Sequence, residues 1–224
     1  MATKKVSAMT PATSVANADL IPIVQGGENK SASDGLINFH ANHYLNKIRA
    51  LGSAALATTF DPYFCSAGQT LIDGRQYMVP IFLQKDATLT GVKFQQVTQG
   101  NYTADNNNRI GLYSVSAGVL TLVASCANNG DLWKGASGVI TVPFSAPYAA
   151  AAGVYYIGYL YNNSAQVTAP VIAAHPILQA SVVSIDLANS NMLSCYFISA
   201  DLVASTTAMS TALPAAGSAF FMLY

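Results

Sequence analysis

The sequence predicts a mainly β protein: a jelly-roll-like β-sandwich preceded by an extended N-terminal segment and one α-helix. Short runs of Val, Ile, Leu, Tyr and Phe recur between residues 79 and 161, and each ends at Gly, Asn or Pro, as antiparallel strands do. One stretch alone, residues 33–51, has the apolar spacing of an amphipathic helix. The length of 224 residues suits one all-β domain with a smaller extension.

This pattern divides the chain into four segments: an extended segment at 1–32, a helix at 33–52, a connector at 53–78 and the sandwich head at 79–224. In the first segment an apolar island, Leu20 to Val24, is followed by a polar turn. It predicts a short strand and hairpin with too little apolar surface to fold alone. A disordered leader is the alternative interpretation.

The helix is capped at its start by Ser33 or Asp34, and Gly52 is a plausible stop. Its apolar residues alternate at spacings of four and three, as in heptads. This set is the predicted trimer interface: Ile37, Ala41, Tyr44, Ile48 and Leu51. Two heptads fit either a short trimeric coiled coil or a helix packed on its own domain, and the sequence leaves both open.

Within the head, the segment LTGVKFQQV places Val92 and Phe94 on one strand face, whereas Leu89 and Val97 need a bulge to join them. Residues 101–109 read as a polar loop, because Asn and Asp favour turns. The following stretch is predicted to form a hairpin that turns at Ser116-Ala117-Gly118.

Residues 153–161, GVYYIGYLY, are apolar on both faces, which predicts a central strand covered on both sides. Pro170 and Pro176 confine the section that follows to edges or loops.

Charge is scarce: charged residues make up 9% of the chain against 52% hydrophobic, and the net charge is zero. Soluble monomers carry roughly 25% charged residues, so we expect apolar surface to be covered by copies of the same chain. The neutral balance and the absence of basic runs argue against nucleic-acid binding. Interrupted apolar runs argue against membrane insertion. No secretory signal is recognisable, which fits synthesis in a reducing cytoplasm.

The sequence contains no recognisable catalytic motif and no recognisable cofactor-binding motif. Its only Glu, Glu28, lies in the leader turn, and the aspartates lie mostly in turn contexts, so a glycosidase carboxylate pair is not evident. His40 and His43 share a helix face without further ligands nearby. The run 105–108 could offer oxygens to calcium, although an Asx-stabilised tip is the simpler account. No zinc spacing is present, and buried free thiols are expected at Cys126 and Cys195.

Three aromatic residues are candidates for stacking on a sugar ring: Tyr102, Trp133 and Tyr148. Trp133 stands between Asp131 and Lys134 in a loop-like context, and carbohydrate binding requires such a ring flanked by polar groups. The alternative is that Trp133 fills the end of the sandwich core.

The leader resembles the N-terminal virion-anchoring segment of tailed-bacteriophage fibre proteins. Such segments have a small polar lead, an acidic residue, a Leu/Ile-Pro-Ile/Val core, a Gly-containing turn, a Lys and then a helix. The matching residues are Asp19, Leu20, Pro22, Ile23, Val24, Gly26, Gly27, Lys30 and Leu36. The resemblance implies that the virion-docking residues are Asp19, Leu20, Ile21, Pro22, Ile23 and Val24.

A second stretch, from Asn101 to Ser164, resembles β-sandwich heads of phage fibre and appendage proteins. Together the two resemblances imply a structural, non-enzymatic homotrimer assembled in the host bacterial cytoplasm. Its N-terminus would dock on capsid or tail proteins of the virion, as a head fibre or tail fibre. Its head would face outward, where it could adhere to host-surface carbohydrate. A capsid decoration protein and a polysaccharide-degrading appendage subunit are the alternatives.

Overall fold

A computed structural model describes residues 20–25, 28–33, 55–104, 107–176, 194–199, 201–202, 207–208, 212–215 and 217–224. The chain divides into two units, residues 1–53 and 54–224. In the first unit, β1 (Leu20–Gln25) and β2 (Glu28–Ser33) pair antiparallel, with Gln25 opposite Glu28 and Leu20 opposite Ser33. This is the hairpin that the apolar island and its polar turn predict.

Several predictions from the sequence fall outside the described residues. Asp19 of the docking set does so, and so does the helix after Ser33. Its expected interface lies there too: Ile37, Ala41, Tyr44, Ile48 and Leu51. The other five docking residues lie on β1: Leu20, Ile21, Pro22, Ile23 and Val24.

The second unit is built mainly from two seven-stranded antiparallel sheets. The first, sheet I, contains β3 (Ala57–Thr58), β4 (Ala67–Thr70), β6 (Ala87–Thr98), β10 (Gly138–Ala150), β13 (Val171–Pro176), β17 (Gly217–Ala219) and β18 (Phe221–Leu223). Its strand order is β17-β13-β6-β18-β3, with β10 paired to β6 and β4 paired to β13.

The second, sheet II, contains β5 (Arg75–Leu83), β8 (Arg109–Ser116), β9 (Val119–Ser125), β11 (Gly153–Tyr161), β14 (Cys195–Ile198), β15 (Thr207–Ala208) and β16 (Leu213–Pro214). Its order is β15-β9-β8-β11-β5-β14-β16. A small separate sheet pairs β7 (Asn101–Ala104) with β12 (Asn163–Thr168), so the expected polar loop begins as a strand. Among described residues the only helical element is a 3₁₀ turn, Pro62–Phe64.

The main core lies between the inner faces of sheets I and II. Phe94 and Phe221 from sheet I meet Tyr159 from sheet II, with ring centroids 5.7 Å apart for Phe94–Phe221 and 5.0 Å apart for Tyr159–Phe221. The ring centroid of Trp133 lies 5.2 Å from that of Phe94 and 6.3 Å from that of Tyr159. Aromatic side chains bury large apolar areas, and this cluster therefore joins the two sheets.

Strand β11 is central, as its two apolar faces predict. It pairs with β5 on one side and β8 on the other, and its residues from Tyr155 to Tyr161 are buried. One face contributes Ile157 and Tyr159 to the main core. The opposite face places Tyr156 in a second, smaller cluster with Met78. The prediction of a strand covered twice is confirmed.

The hairpin between β8 and β9 turns where the sequence predicts. Ala117 and Gly118 both have positive φ angles, 48° and 75°. Two consecutive positive φ angles define the tight turn whose twist matches that of antiparallel strands. Glycine adopts this conformation without the steric cost that the Ala117 side chain incurs.

An irregularity in sheet I brings Leu89 into the core, as the sequence pattern requires. Pro143 of β10 pairs with Gly91 of β6, whereas Tyr148 pairs with Leu89, so extra β10 residues bulge between the two pairs. Gly91 lies against this bulge, where a Cβ atom would collide with the Val142 carbonyl oxygen. Leu89 is fully buried, while Val97 stays half-exposed.

The compact unit begins at residue 54 rather than at Val79, and the predicted connector, residues 53–78, supplies strands of both sheets. β3 pairs with β18 and β4 pairs with β13. These strands are too short for an alternating pattern to be visible. Similarly, β13 pairs with β4 on one side and with β6 and then β17 on the other. It is not confined to an edge, because Pro170 precedes the strand and Pro176 ends it.

Candidate functional site

Trp133, one of the three aromatic candidates for sugar contact, is a core residue. Its side chain is 0% exposed, and its indole Nε1–H donates a hydrogen bond to the Leu160 carbonyl oxygen at 3.0 Å. The segment around it folds over the core, where Gln96 Nε2 donates to the Trp133 carbonyl oxygen at 2.6 Å. A buried ring cannot stack on a saccharide, so the core-filling alternative is correct.

Tyr102 is also buried, with 5% of its surface exposed. Its ring meets Tyr161 edge-on at 5.0 Å, and its hydroxyl donates to the Gly130 carbonyl oxygen at 3.0 Å. Burial raises the pKa of Tyr102 to about 12. Lys134 lies over the ring, with Nζ 5.0 Å from its centroid. The expected sugar contact at Tyr102 is therefore wrong, because its ring faces are occupied by protein.

Tyr148 is the one member of the predicted aromatic set that remains partly accessible. It lies on β10, half-buried, and its ring meets Tyr155 edge-on with centroids 6.4 Å apart. The three predicted aromatics are not brought together as one surface. Trp133 and Tyr102 face the core, whereas Tyr148 lies beside the irregular part of β10.

A cleft that the sequence pattern does not reveal opens between the two sheets. We call it the inter-sheet cleft; its volume is about 300 Å³. Sheet I contributes residues of β4, β13 and β17, and sheet II contributes residues of β5 and β14. The side chains that line it include Gln69, Ile72, Arg75, Tyr77, His175 and Tyr196.

Arg75 and Tyr196 form the polar wall of the inter-sheet cleft. The Arg75 guanidinium carbon lies 4.2 Å from the centroid of the Tyr196 ring, a cation–π contact. The register explains this contact: Tyr77 is opposite Tyr196, and Arg75 is opposite Ile198. Arg75 and Tyr196 are thus diagonal neighbours on one face of adjacent strands, within reach of long side chains.

Two lining side chains, Gln69 and Tyr77, form the floor together with the buried Tyr159, which contacts both. The rings of Tyr77 and Tyr159 stack at 5.3 Å with 14° between their planes. The Tyr159 hydroxyl donates to Gln69 Oε1 at 2.8 Å, which links sheet II to sheet I. The Tyr77 hydroxyl accepts a hydrogen bond from the Ile72 amide at 3.3 Å. Because the Gln69 oxygen accepts from Tyr159, its Nε2 group is the part of this side chain that remains to donate to a ligand.

The phenols of the floor stay neutral at physiological pH. Burial raises the pKa of Tyr159 well above its usual value. Burial also raises the pKa of Tyr77, against the lowering by the Ile72 hydrogen bond and by the positive charge of Arg75. Both groups therefore act as hydrogen-bonding hydroxyls rather than as anions.

The inter-sheet cleft has a basic but not an acidic character. Of its described lining residues, none is Asp or Glu. Asp73, two residues before Arg75, is engaged elsewhere, since its carboxylate accepts a hydrogen bond from the Asn163 amide at 2.8 Å. The His175 ring lies against Phe60 and Phe64. Its Nδ1 is 3.1 Å from the Phe64 carbonyl oxygen.

A second surface of the head is apolar. A groove of about 250 Å³ lies on sheet I and is lined mainly by Pro62, Cys65, Val139, Phe220 and Met222. We call it the sheet I groove. Val139 is 67% exposed, and nearby in the chain Phe64 is 53% exposed. Exposed apolar patches of this kind mark interaction surfaces.

The cysteines in the described part of the chain are free, and Cys126 and Cys195 are buried, as expected. Burial raises the pKa of the Cys195 thiol to about 12, so this thiol is inert at neutral pH. Across the described ranges, no three His, Cys, Asp or Glu side chains are placed to hold a metal ion. No helix in the described part is long and apolar enough to cross a membrane.

Sequence reasoning missed the inter-sheet cleft because Gln69 and Arg75, although near in the chain, belong to different sheets, and Tyr196 comes from a distant strand. One local signal was present: in Arg75-Gln76-Tyr77 the alternation places the guanidinium and the phenol on one strand face. Comparison of the chain with protein-family models, curated proteins and solved structures found no match.

Proposed function

We propose that this protein is a structural fibre of a tailed-bacteriophage virion. In this proposal it is a homotrimer of head-fibre or tail-fibre type, docked on the capsid or tail by its N-terminal segment. Its jelly-roll-like head faces outward and adheres to host-surface glycan through the inter-sheet cleft. The role is adhesive and not enzymatic.

The observation that carries the adhesive function is the Arg75–Tyr196 wall of the inter-sheet cleft. Saccharide sites combine an aromatic side chain with a few convergent hydrogen-bonding groups. Here Tyr196 supplies the aromatic group, Arg75 and Gln69 supply donors, and Tyr77 supplies a neutral hydroxyl. None of the described lining residues is Asp or Glu, which favours binding over glycoside cleavage, because cleavage requires a pair of carboxyl groups.

Two observations support the trimeric fibre. The scarcity of charge and the exposed sheet I groove indicate apolar surface suited to subunit contact. Phe220 and Met222 of that groove belong to the C-terminal part of the chain, which we propose packs near the three-fold axis. The β1–β2 hairpin is a unit of two strands, and an isolated hairpin is only marginally stable in water. Docking on the virion would stabilise it.

Glycan adhesion is tested by binding the full-length protein to an array of bacterial surface polysaccharides. Tyr196→Ala should abolish binding to the glycans on the array that the wild-type protein binds. Tyr148→Ala is the matched control, because it removes an accessible tyrosine outside the inter-sheet cleft. Loss of binding only in the Tyr148 variant would place the glycan site outside the inter-sheet cleft, and no binding by the wild type would overturn the adhesive function.

The fibre role is tested by oligomer mass and by assembly. Sedimentation should give a discrete trimer, and labelled protein should appear in micrographs as projections on the capsid or tail. Deletion of residues 1–32 should leave a folded, soluble oligomer that no longer joins particles. A monomer, or a truncated protein that still assembles, would contradict the proposal. If the labelled protein instead covers the whole capsid shell in the micrographs, the protein is a capsid decoration protein.

A further inference from the structure

We infer that the saccharide bound in the inter-sheet cleft carries an oxyanion substituent, a carboxylate or a phosphate, and that Arg75 pairs with it. This inference rests on the proposed adhesive function and adds the chemical class of the ligand. Three features of the inter-sheet cleft lead to it: the setting of Arg75, the partners of the other cations, and the hydrogen-bonding groups beside the guanidinium.

The guanidinium of Arg75 is held in place before any ligand arrives. Its contact with the Tyr196 ring, 4.2 Å from carbon to centroid, orients the planar group. Arg75 is half-buried at the start of β5, where its backbone pairs with Ile198 and Tyr161. A guanidinium fixed in this way presents several N–H groups in one plane, the geometry that matches a carboxylate or phosphate with two parallel hydrogen bonds.

In the described part of the chain Arg75 is in no ion pair, as Lys85 and Lys93 are not, whereas two other cations are. Arg109 pairs with Asp201 at 3.6 Å and Lys134 pairs with Asp131 at 2.8 Å. A half-buried cation in a cleft whose described lining includes no Asp or Glu creates a positive potential that attracts an anion. Because the surroundings are less polar than water, pairing with the ligand is stronger than at a fully exposed lysine.

The neighbouring groups suit a sugar that carries this anion. Tyr77 is neutral, so it carries no negative charge that would offset the positive charge of Arg75. Gln69 Nε2, on the opposite side of the inter-sheet cleft, can donate to a sugar hydroxyl. At about 300 Å³, the inter-sheet cleft is at the small end of ligand sites, which suits one charged saccharide unit rather than a long chain.

The inference is tested with the full-length protein on an array of bacterial polysaccharides in three groups: uronic-acid-containing, phosphate-containing and neutral. We expect the bound glycans to come from the two anionic groups, and the group that binds identifies the anion. For a bound glycan, titration calorimetry should show that Arg75→Gln weakens binding at least tenfold. Arg75→Lys should weaken binding too, because an ammonium group cannot form the two parallel hydrogen bonds that the planar guanidinium forms. Lys85→Gln removes the same charge just beyond the far end of β5 and should leave affinity unchanged.

Each outcome has a distinct meaning. Binding of neutral and anionic glycans with equal affinity, or full affinity in Arg75→Gln, would overturn this inference and leave the adhesive function standing. No binding to any glycan would overturn both. If thermal melting shows that the Arg75 variants are not folded, the test is made on the wild-type protein. Its NMR signal from the Arg75 Nε–H group should shift when the anionic glycan is added. An unchanged signal would refute the pairing.

Discussion

The side chain of Asn108 hydrogen-bonds both backbone groups of Asn162. Its Nδ2 donates to the Asn162 carbonyl oxygen at 3.0 Å, and its Oδ1 accepts from the Asn162 amide at 3.0 Å. Asn162 Nδ2 in turn donates to the Asn107 carbonyl oxygen at 3.1 Å. The Asn108 side chain thus acts as a strand partner, next to the backbone pair of Arg109 and Leu160. Its oxygen is therefore engaged by protein, whereas Asp105 and Asn106 of the run considered for calcium or Asx turns lie outside the described residues.

Asn108→Asp tests this arrangement. A carboxylate can still accept from the Asn162 amide but cannot donate to the Asn162 carbonyl, and Asn108 is fully buried. We expect a loss of about 3 kcal/mol in the free energy of unfolding at pH 7, measured by urea denaturation. Asn128→Asp is the control, because exposed Asn128 only accepts, from the Asn108 amide at 3.1 Å. It should cost less than about 1 kcal/mol. Equal losses would refute the strand-partner role.

Trp133→Phe should destabilise the head although it keeps an aromatic ring. The change removes the indole donor to Leu160 and leaves a void beside Phe94. We expect a loss of about 2–4 kcal/mol in the free energy of unfolding. Val167→Ala, at a position 79% exposed, should change it by less than about 0.5 kcal/mol. A Trp133 variant as stable as the wild type would show that the indole is not part of the core.

The head should lose stability as the pH rises above 10. Burial raises the pKa of Tyr102 to about 12, and burial also raises the pKa values of Tyr113, Tyr156 and Tyr161 above the usual 10.0. At a pH between the usual tyrosine pKa of 10.0 and the raised pKa in the folded protein, these tyrosines lose their protons in the unfolded chain but keep them in the folded chain. The stabilisation is therefore complete below pH 10 and is lost as the pH rises through the folded pKa values. Urea midpoints measured from pH 8 to 11.5 should fall above pH 10, and constant midpoints would contradict the prediction.

Ile48→Asp should break or strongly weaken the trimer. Ile48 lies outside the described residues, and the prediction rests on its heptad position in the helix. A single charge buried at a three-fold axis would lack a partner and cost several kcal/mol per copy. Sedimentation should show smaller species, whereas Lys85→Asp, at an exposed position just after β5, should stay trimeric. If Ile48→Asp remains a trimer with an unchanged melting temperature, the helix is not at the axis.

Local sequence pattern determined the features that depend on neighbours in the chain. The mainly β class and the turn at Ala117-Gly118 follow from period-two alternation and from residues that tolerate positive φ. The central place of β11 follows from its two apolar faces. In each case the cause acts within one strand or one turn, so the sequence alone is enough to see it.

Tertiary structure decided which side chains meet. From its local sequence NNGDLWKG, Trp133 fits either an exposed ring or a core residue, and the hydrogen bond from its indole to Leu160 shows that it is a core residue. Arg75 and Tyr196 become neighbours only through the register of β5 with β14, and Gln69 joins them only when the second sheet packs across the core. Alternation states which residues share a strand face. It does not state which distant strand lies beside that face, because pairing is set by the burial of the whole core.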